Sequence, residues 1–252
     1  MTPQALLCGA AQPATLMVDS LQDDRLVAFG YAMHSMTIRS ATTITNSLVP
    51  LLKTMRMVVD IAGGSGAFLQ AILSHPALSS LRAIHFELPA VSAFARQRLI
   101  QDGHRHLCRR MEFIAGDMFS GGVFPGHAPF PALTLNPTST STQAPPPDPI
   151  PNTSPTPGPV SHGGVLYIFS SVLHDWPAER NIALLAKAVR SLPHGGTLLV
   201  HEMFLSADPT QSSTIATTMD VAMLMWAEGG QCTRDQVDDW LQLAVHIARG
   251  AK

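Results

Sequence analysis

Charged side chains are scarce in this chain. Asp, Glu, Lys and Arg make up 13% of the residues, and the formal net charge is −2. A globular protein usually has about 25% charged residues. We therefore expect covered faces, a surface completed by a partner, or disorder in the uncharged part. A nucleic-acid-binding domain carries a basic face, which a net charge of −2 does not provide, so we expect no nucleic-acid partner.

Cysteines, long apolar runs and a basic N-terminus are also few or missing. Cys8, Cys108 and Cys232 are widely spaced, which predicts free thiols in a reducing compartment. No apolar run approaches the roughly 20 residues that cross a bilayer. The first residues contain acids rather than the basic start of a secretory signal. The eleven histidines are scattered, without metal-ligand spacing. We predict a cytoplasmic protein without a metal ion or a membrane partner.

The most informative stretch runs from Val58 to Gly66, V-V-D-I-A-G-G-S-G. Apolar residues lead into an acid, then a glycine-rich turn, then the apolar run that begins at Ala67. This order predicts a strand, a tight loop and a helix. In a parallel sheet such a loop lies at the carboxyl end of its strand, where nucleotide-like ligands bind. With 252 residues, the chain is long enough for one α/β core.

The loop lacks the features of common phosphate-binding loops. A Walker loop needs Lys followed by Ser or Thr, and a dinucleotide loop needs G-x-G-x-x-G; this chain has Gly63, Gly64 and Gly66. The carboxylate of Asp60 would repel a pyrophosphate but could bind an ammonium or hydroxyl group. The loop therefore favours a nucleoside with a cationic or amino-acid tail, such as S-adenosylmethionine. An ordinary glycine turn remains the simpler alternative.

Three later segments extend this interpretation. Glu87 ends a second predicted strand about 20 residues after the loop, the usual place for a carboxylate that binds ribose hydroxyls. Asp117 could accept a hydrogen bond from an adenine amino group, with Met118 on the ring face. His174 follows a fourth predicted strand, and histidine is suited to proton transfer near neutral pH. Each also has a structural explanation: a solvated strand-end charge, a turn aspartate beside a core methionine, and a histidine next to a helix cap.

Together these segments resemble the class I methyltransferases, and more narrowly the caffeic-acid and acetylserotonin O-methyltransferase family. The resemblance covers roughly residues 28–245 and is strongest at G-D-M-F and L-H-D-W; D-I-A-G-G-S-G, F-E-L-P, G-G-T-L-L-V-H-E and M-D-V-A-M-L-M also match. It implies an α/β fold, with a Rossmann-like sheet covered by helices on both faces and incomplete at the C-terminus. It also implies methyl transfer from S-adenosylmethionine to a hydroxyl of a small aromatic acceptor.

The resemblance assigns roles residue by residue. His174 matches the general base that deprotonates the acceptor, and Glu202 matches an acid that orients it. Met223 matches a position that packs on the acceptor ring. The implied donor contacts are Asp60, Gly63, Gly64, Gly66, Glu87, Asp117 and Met118.

The chain departs from the family in its organisation. We divide it into a short N-terminal segment (1–27), a first methyltransferase part (28–124), a Pro-rich disordered insertion (125–162) and a second part (163–252). Family members carry an N-terminal dimerisation domain for which residues 1–27 are too few, so the family's homodimer is in doubt for this chain. The insertion contains twelve prolines between Pro125 and Pro159 and cannot bury enough apolar surface to order itself. The apolar helix predicted over Thr214–Met225 should be buried.

A further departure concerns the second acid that orients the base in the family. Gln231 or Cys232 stands at its place after Gly229 and Gly230, and neither supplies a carboxylate. Two functions therefore remain open: an active O-methyltransferase, or a catalytically impaired methyltransferase-like domain that binds the cofactor or a partner. A dinucleotide or nucleotide-sugar enzyme is a third reading, against which the glycine spacing argues.

Overall fold

The computed structural model describes residues 23–126 and 164–250. Five strands lie at Met55–Ile61 (β1), Arg82–Glu87 (β2), Met111–Ala115 (β3), Gly164–Ser170 (β4) and Thr197–His201 (β5). The α-helices are Asp23–Leu52 (α1), Ala67–Ser74 (α2), Pro89–Gln101 (α3), Ala178–Ser191 (α4), Thr214–Trp226 (α5) and Arg234–Gly250 (α6). Short 3-10 helices lie at Pro76–Leu78, Arg105–Arg109, Leu173–Asp175 and Pro209–Gln211.

The strands form one sheet in the order β3-β2-β1-β4-β5, and every pair is parallel. The chain places β2 and β3 on one side of β1 and then returns to place β4 and β5 on the other side. The strand order therefore reverses between β1 and β4, which is where open α/β sheets bind ligands beyond their carboxyl ends. The predicted Rossmann-like α/β sheet is confirmed.

Both faces of the sheet are buried, as parallel sheets require. Successive side chains of a strand point to opposite faces, and β1 shows this directly. Val58 belongs to an apolar cluster with α1, α2 and α3. Met57 and Val59 belong to a second cluster with α4 and α6. Helices therefore cover both faces of the sheet.

Helix α1 runs through the predicted boundary between residues 27 and 28. It begins at Asp23 and continues without a break to Leu52. Residues 1–22 and 127–163, which contain most of the predicted N-terminal segment and of the Pro-rich insertion, lie outside the described residues. Pro125 is tied to the sheet, because the hydroxyl of Tyr167 donates to its carbonyl at 2.8 Å. The domain division stays a prediction.

The expectation that Thr214–Met225 is buried is wrong. Of the side chains described in α5, Met223 is buried, but Ile215, Val221, Leu224 and Met225 are 65–72% exposed. The helix packs mainly against the 3-10 turn at residues 173–175. The apolar composition of α5 predicted that it packs on all sides, but the described residues of the chain pack against one face of this helix only.

Three further features concern the described part of the chain. Its helices include none with the length and apolarity of a membrane span. Its His, Cys, Asp and Glu side chains form no group of three or more that could hold a metal ion. Cys108 and Cys232 are free thiols.

Candidate functional site

The glycine loop follows β1, and two of its glycines adopt left-handed backbone conformations. Gly64 has φ +52° and Gly66 has φ +75°, values that glycine adopts at no steric cost. Gly63 is required for a different reason. A Cβ at this position would lie 2.8 Å from Cδ2 of His85 and 3.0 Å from a carboxylate oxygen of Asp60. The loop therefore lies directly over strands β1 and β2.

Strand β2 holds this loop through two alternate residues, which share one face of the strand. His85 Nε2 lies 3.0 Å from the carbonyl oxygen of Gly64. Glu87 accepts hydrogen bonds from the backbone N–H groups of Gly64 at 3.0 Å and of Leu88 at 2.6 Å. Burial lowers the pKa of His85 to about 4, so its ring is neutral and Nε2–H donates to the carbonyl.

Asp60 is a buried acid of the site. Its side chain is 1% exposed, and Oδ1 has no hydrogen-bond partner among the described residues. Burial, with a smaller contribution from the charge of Glu87, raises the pKa of Asp60 to about 8. The free protein therefore holds Asp60 largely as the neutral acid at pH 7. A buried acid without a partner is a candidate for contact with a ligand.

Replacing Asp60 by Asn should stabilise the fold at alkaline pH. The carboxyl group has a pKa near 3.8 in the unfolded chain and about 8 in the fold. The unfolded state therefore binds fewer protons between these values, and stability falls as pH rises. We expect Asp60→Asn to raise the free energy of unfolding by about 1–3 kcal/mol at pH 8, and by less at pH 5. Urea unfolding at both pH values measures this difference.

The exposed Asp238 provides the matched control for that experiment. Asp238→Asn should leave the urea midpoint close to that of the parent protein at both pH values, because this side chain is exposed in α6. A parent and an Asp60→Asn variant with equal stability at pH 8 would mean that Asp60 carries no burial cost.

The turn after β3 brings the G-D-M-F residues to the same edge of the sheet. Asp117 is exposed and accepts from the backbone N–H of Phe119 at 2.8 Å. Lys187 donates to the carbonyl of Met118 at 3.0 Å and so ties this turn to α4. The ring of Phe119 packs edge-on against Trp176 with centroids 4.6 Å apart. The two most specific motifs are therefore in contact, although the sequence separates them widely.

His174 lies in the 3-10 turn after β4 and is paired with Glu202, which follows β5. Nδ1 of His174 is 2.7 Å from one carboxylate oxygen of Glu202. The other oxygen accepts from the backbone N–H groups of Val172 and Leu173, both at 2.8 Å. The carboxylate is thus fixed by the same turn that carries the histidine. A carboxylate at Nδ1 selects the tautomer that leaves Nε2 free to accept a proton.

The electrostatics of this turn favour a basic imidazole. Burial lowers the pKa of His174, but the hydrogen bond and charge of Glu202 and the charge of Asp175 raise it, and the net pKa lies above the ordinary value. Nε2 lies 3.5 Å from a carboxylate oxygen of Asp175. Burial raises the pKa of Asp175 to about 6, against the opposing charge of His174.

The segment Gly229–Cys232 closes over the back of this turn. A Cβ on Gly229 would lie 2.5 Å from the carbonyl oxygen of Trp176 and 2.6 Å from that of His174. Gln231 is 6% exposed, and neither polar atom of its side chain has a hydrogen-bond partner among the described residues. Burial and the charge of Glu202 raise the pKa of Cys232 to about 12. This segment therefore supplies close packing but no carboxylate.

One cavity of about 900 Å³ joins most of these groups. Its walls include the glycine loop, the turn after β3, the turn that carries His174, and parts of α1 and α5. Among the residues selected from sequence, those that line it are Asp60, Gly63, Gly64, Glu87, Asp117, Met118, His174 and Met223. Gly66 and Glu202 do not line this cavity; Gly66 is the N-cap residue of α2, and Glu202 lines a second cavity of about 540 Å³.

Sequence reasoning missed several residues of this site. His85 lies two positions before Glu87 in β2. Residues at this spacing share one face of a strand, so the sequence could have identified His85. Asp175 adjoins His174 in the motif, but its sequence position equally suited a helix cap. Lys187 gave no local signal, because its contact with the carbonyl of Met118 bridges 69 positions.

The parallel sheet, its reversal at β1 and the glycine loop define the class I methyltransferase fold. The model of the O-methyltransferase domain family matches residues 15–129 and 160–246, and the chain belongs to this family. This confirms the family that the motifs predicted.

The curated relatives of the chain include bacterial and animal enzymes. It is 28% identical over 192 residues to the 3-hydroxy-5-methyl-1-naphthoate 3-O-methyltransferase of Streptomyces sahachiroi, covering 76% of this chain and 43% of that protein. It is 28% identical over 197 residues to the acetylserotonin O-methyltransferase of Rattus norvegicus, covering 77% of this chain and 34% of that protein. The chain thus spans less than half the length of these relatives.

Solved structures share the fold. Human N-acetylserotonin methyltransferase in complex with SAM matches with a TM-score of 0.63 and 21% identity, covering 96% of this chain and 58% of that one. An O-methyltransferase family 2 protein from Planctomyces limnophilus in complex with apigenin matches with a TM-score of 0.63 and 25% identity. The match covers 90% of this chain and 57% of that one.

Proposed function

We propose that this chain transfers a methyl group from S-adenosylmethionine to a hydroxyl of a small aromatic acceptor. One observation carries the proposal: the cavity that the glycine loop lines also receives His174, whose Nδ1 is held by Glu202 at 2.7 Å. A donor bound at this loop would therefore lie in the same cavity as the proposed base. The relatives' names, which specify aromatic O-methylation, support the acceptor class.

The described residues suit such a donor. Oδ1 of Asp60, which has no hydrogen-bond partner in the described part of the chain, could accept from an ammonium group, which would also favour the ionised acid. The carboxylate of Glu87 already accepts two backbone hydrogen bonds, but it has about four lone-pair positions in all. Two therefore remain for ribose hydroxyls. Asp117 and Met118 also line the cavity, and an adenine ring would lie against them.

His174 would act as the general base. With Nδ1–H donated to Glu202, Nε2 takes the proton of the acceptor hydroxyl as the oxygen forms its bond to the methyl carbon. The C–S bond electrons remain on sulfur, and the sulfonium charge of the donor makes that carbon electrophilic. A positioned base raises the reaction rate about 10²–10⁴-fold. Alignment of the two reactants lowers the activation barrier by about 7–11 kcal/mol. Met223, which is buried in the cavity wall, would pack on the acceptor ring.

The proposal is tested by binding and turnover on one preparation. Calorimetry with S-adenosylmethionine and S-adenosylhomocysteine measures donor binding. Incubation with methyl-labelled donor and a panel of phenols and hydroxyindoles measures transfer. We expect both signals. A protein that binds neither nucleoside would refute the proposal, and tight binding of a nicotinamide dinucleotide would support a different enzyme class.

Glu202→Gln should change both the rate and its pH dependence. Two backbone N–H groups need the acceptor oxygen at Glu202, so the amide NH₂ of a Gln would point at Nδ1 of His174. That contact selects the opposite tautomer, with the proton on Nε2. The substitution also removes the negative charge of Glu202, which raises the pKa of His174. We expect kcat to fall about 10- to 100-fold and the acid limb of kcat/KM to move to lower pH. An unchanged acid limb would contradict this pairing.

A second candidate function follows from Gln231. The resemblance places an acid at Gln231 or Cys232, and neither of these buried side chains supplies a carboxylate. In this alternative the chain is a catalytically impaired domain that binds the donor or a partner. Donor binding without methyl transfer to any acceptor of the panel would favour it.

A further inference from the structure

A buried arginine contacts the glycine loop from α3, the helix that follows β2. The side chain of Arg98, on α3, is 0% exposed and does not line the 900 Å³ cavity. A guanidinium group carries only donors and stays charged, so burial requires that its N–H groups find acceptors. Where those acceptors lie shows what the arginine holds in place.

The acceptors belong to the loop and its surroundings. Nε donates to the carbonyl of Ser65 at 3.2 Å, and Ser65 is the residue between the two left-handed glycines of the loop. Nη2 donates to Oε1 of Gln70 in α2 at 2.7 Å. Nη1 donates to Asp102 at 2.7 Å, which supplies the neutralising charge. One carboxylate offsets the charge, and two other donors hold the loop and the helix that follows it.

Helix α1 joins the same network through His34. Nη1 of Arg98 lies 3.3 Å from Nε2 of His34, and Nδ1 of His34 lies 3.3 Å from the hydroxyl of Ser65. Burial, followed by the charge of Arg98, lowers the pKa of His34 to about 4. The ring is therefore neutral at pH 7, accepts from Arg98 and donates to Ser65. The three side chains close a ring of contacts between α1, α3 and the loop.

We infer that Arg98 is a positioning residue that holds the glycine loop in its donor-binding conformation and fixes α1 beside it. The inference rests on the proposed function. Gly63, Gly64 and Ser65 line the cavity, as does Met33 of α1, which adjoins His34. His85 and Glu87 hold the loop from β2, and Arg98 holds it from α3. Loss of the Arg98 contacts should therefore allow the loop to move, while the turn that carries His174 keeps its position.

Arg98→Met tests the inference against Arg110→Met. Arg110 is the matched control because its guanidinium also donates to backbone carbonyls, those of Leu73, Leu78 and Leu81, none of which lines the cavity. We expect Arg98→Met to raise the dissociation constant of S-adenosylhomocysteine about tenfold to hundredfold. Arg110→Met should lower Tm without changing that constant.

The kinetic signature separates positioning from general stability. The donor's KM should rise in Arg98→Met while kcat at saturating donor stays within about threefold of the parent, as expected when binding common to ground and transition state is lost. Arg98→Lys, which keeps the charge but not the planar set of donors, should lie between parent and Arg98→Met. His34→Ala should show a smaller rise in the donor's KM, and the double variant should fall short of the product of the two effects.

Two results would overturn the inference, and they are distinguishable. Arg98→Met or Arg98→Lys with parent-like affinity for S-adenosylhomocysteine would make the arginine structural only, with the proposed function intact. A parent protein that does not bind S-adenosylhomocysteine would refute the proposed function and the inference with it. If Arg98→Met does not fold, Arg98→Lys and His34→Ala decide by the same two measurements.

Discussion

His174→Ala should lower kcat by about 10²–10⁴-fold, the range for loss of a positioned general base. The reason is structural as well as chemical. Nδ1 is fixed by Glu202 and the ring lines the cavity, so Nε2 is the only ring nitrogen of His174 left to take a proton. Alanine leaves the backbone of the turn in place, and Glu202 still accepts from Val172 and Leu173. The measurement is methyl transfer at saturating donor and acceptor.

Affinity for the donor is the companion measurement. We expect His174→Ala to bind S-adenosylhomocysteine within about threefold of the parent, because the proposed donor contacts lie on β1, β2 and the turn after β3. The exposed His106 gives the control, since His106→Ala should retain the parent rate. Equal transfer rates in His174→Ala and the parent would disprove the assigned base.

Gly229→Ala should be the next most damaging substitution. Its Cβ would lie within 2.5–2.7 Å of three backbone atoms of His174 and Trp176, and backbone cannot rotate away as a side chain can. Either the loop at 229 or the turn that carries His174 must shift. Overpacking of this kind costs about 1–3 kcal/mol of stability, and a displacement of about 1 Å at a catalytic group can cost about 100-fold in rate. We expect both effects, measured by thermal unfolding and by kcat.

Gly121→Ala provides the contrast for this prediction. A Cβ on Gly121 meets no atom within 4 Å, so the same chemical change should leave Tm and kcat close to the parent values. A Gly229→Ala variant with parent-like kcat would show that the packing of this glycine does not position His174.

The sequence predicted the fold because its signals were local and repeated. The apolar run before Asp60, the glycines after it and the later strand-and-turn segments each specify an element without reference to distant residues. Together they fix a parallel α/β sheet, and the carboxyl ends of its strands then share one edge. Gly63, Gly64, Glu87 and His174, which line one cavity, could therefore be placed at this edge in advance.

The sequence failed where a contact joined distant positions. The exposure of α5 depends on what lies beside it, and an apolar sequence such as Thr214–Met225 does not specify its own cover. The network of Arg98 also went unrecognised, because it brings His34, Ser65 and Asp102 together from separate elements. Each residue taken alone resembles an ordinary surface or core position.

The chain's sequence by itself determined the family, the order in which the polar residues of the site follow the strands, and the identity of the proposed base. Local backbone preferences and motif spacing encode these features directly. Only the tertiary structure decided that Asp60 is buried with no partner for Oδ1 among the described residues, that Gly229 packs on the backbone of His174, and that Arg98 donates to the carbonyl of Ser65 in the loop. Burial, and with it the pKa of a carboxyl group or the tolerance of a glycine, depends on atoms that folding brings from elsewhere in the chain.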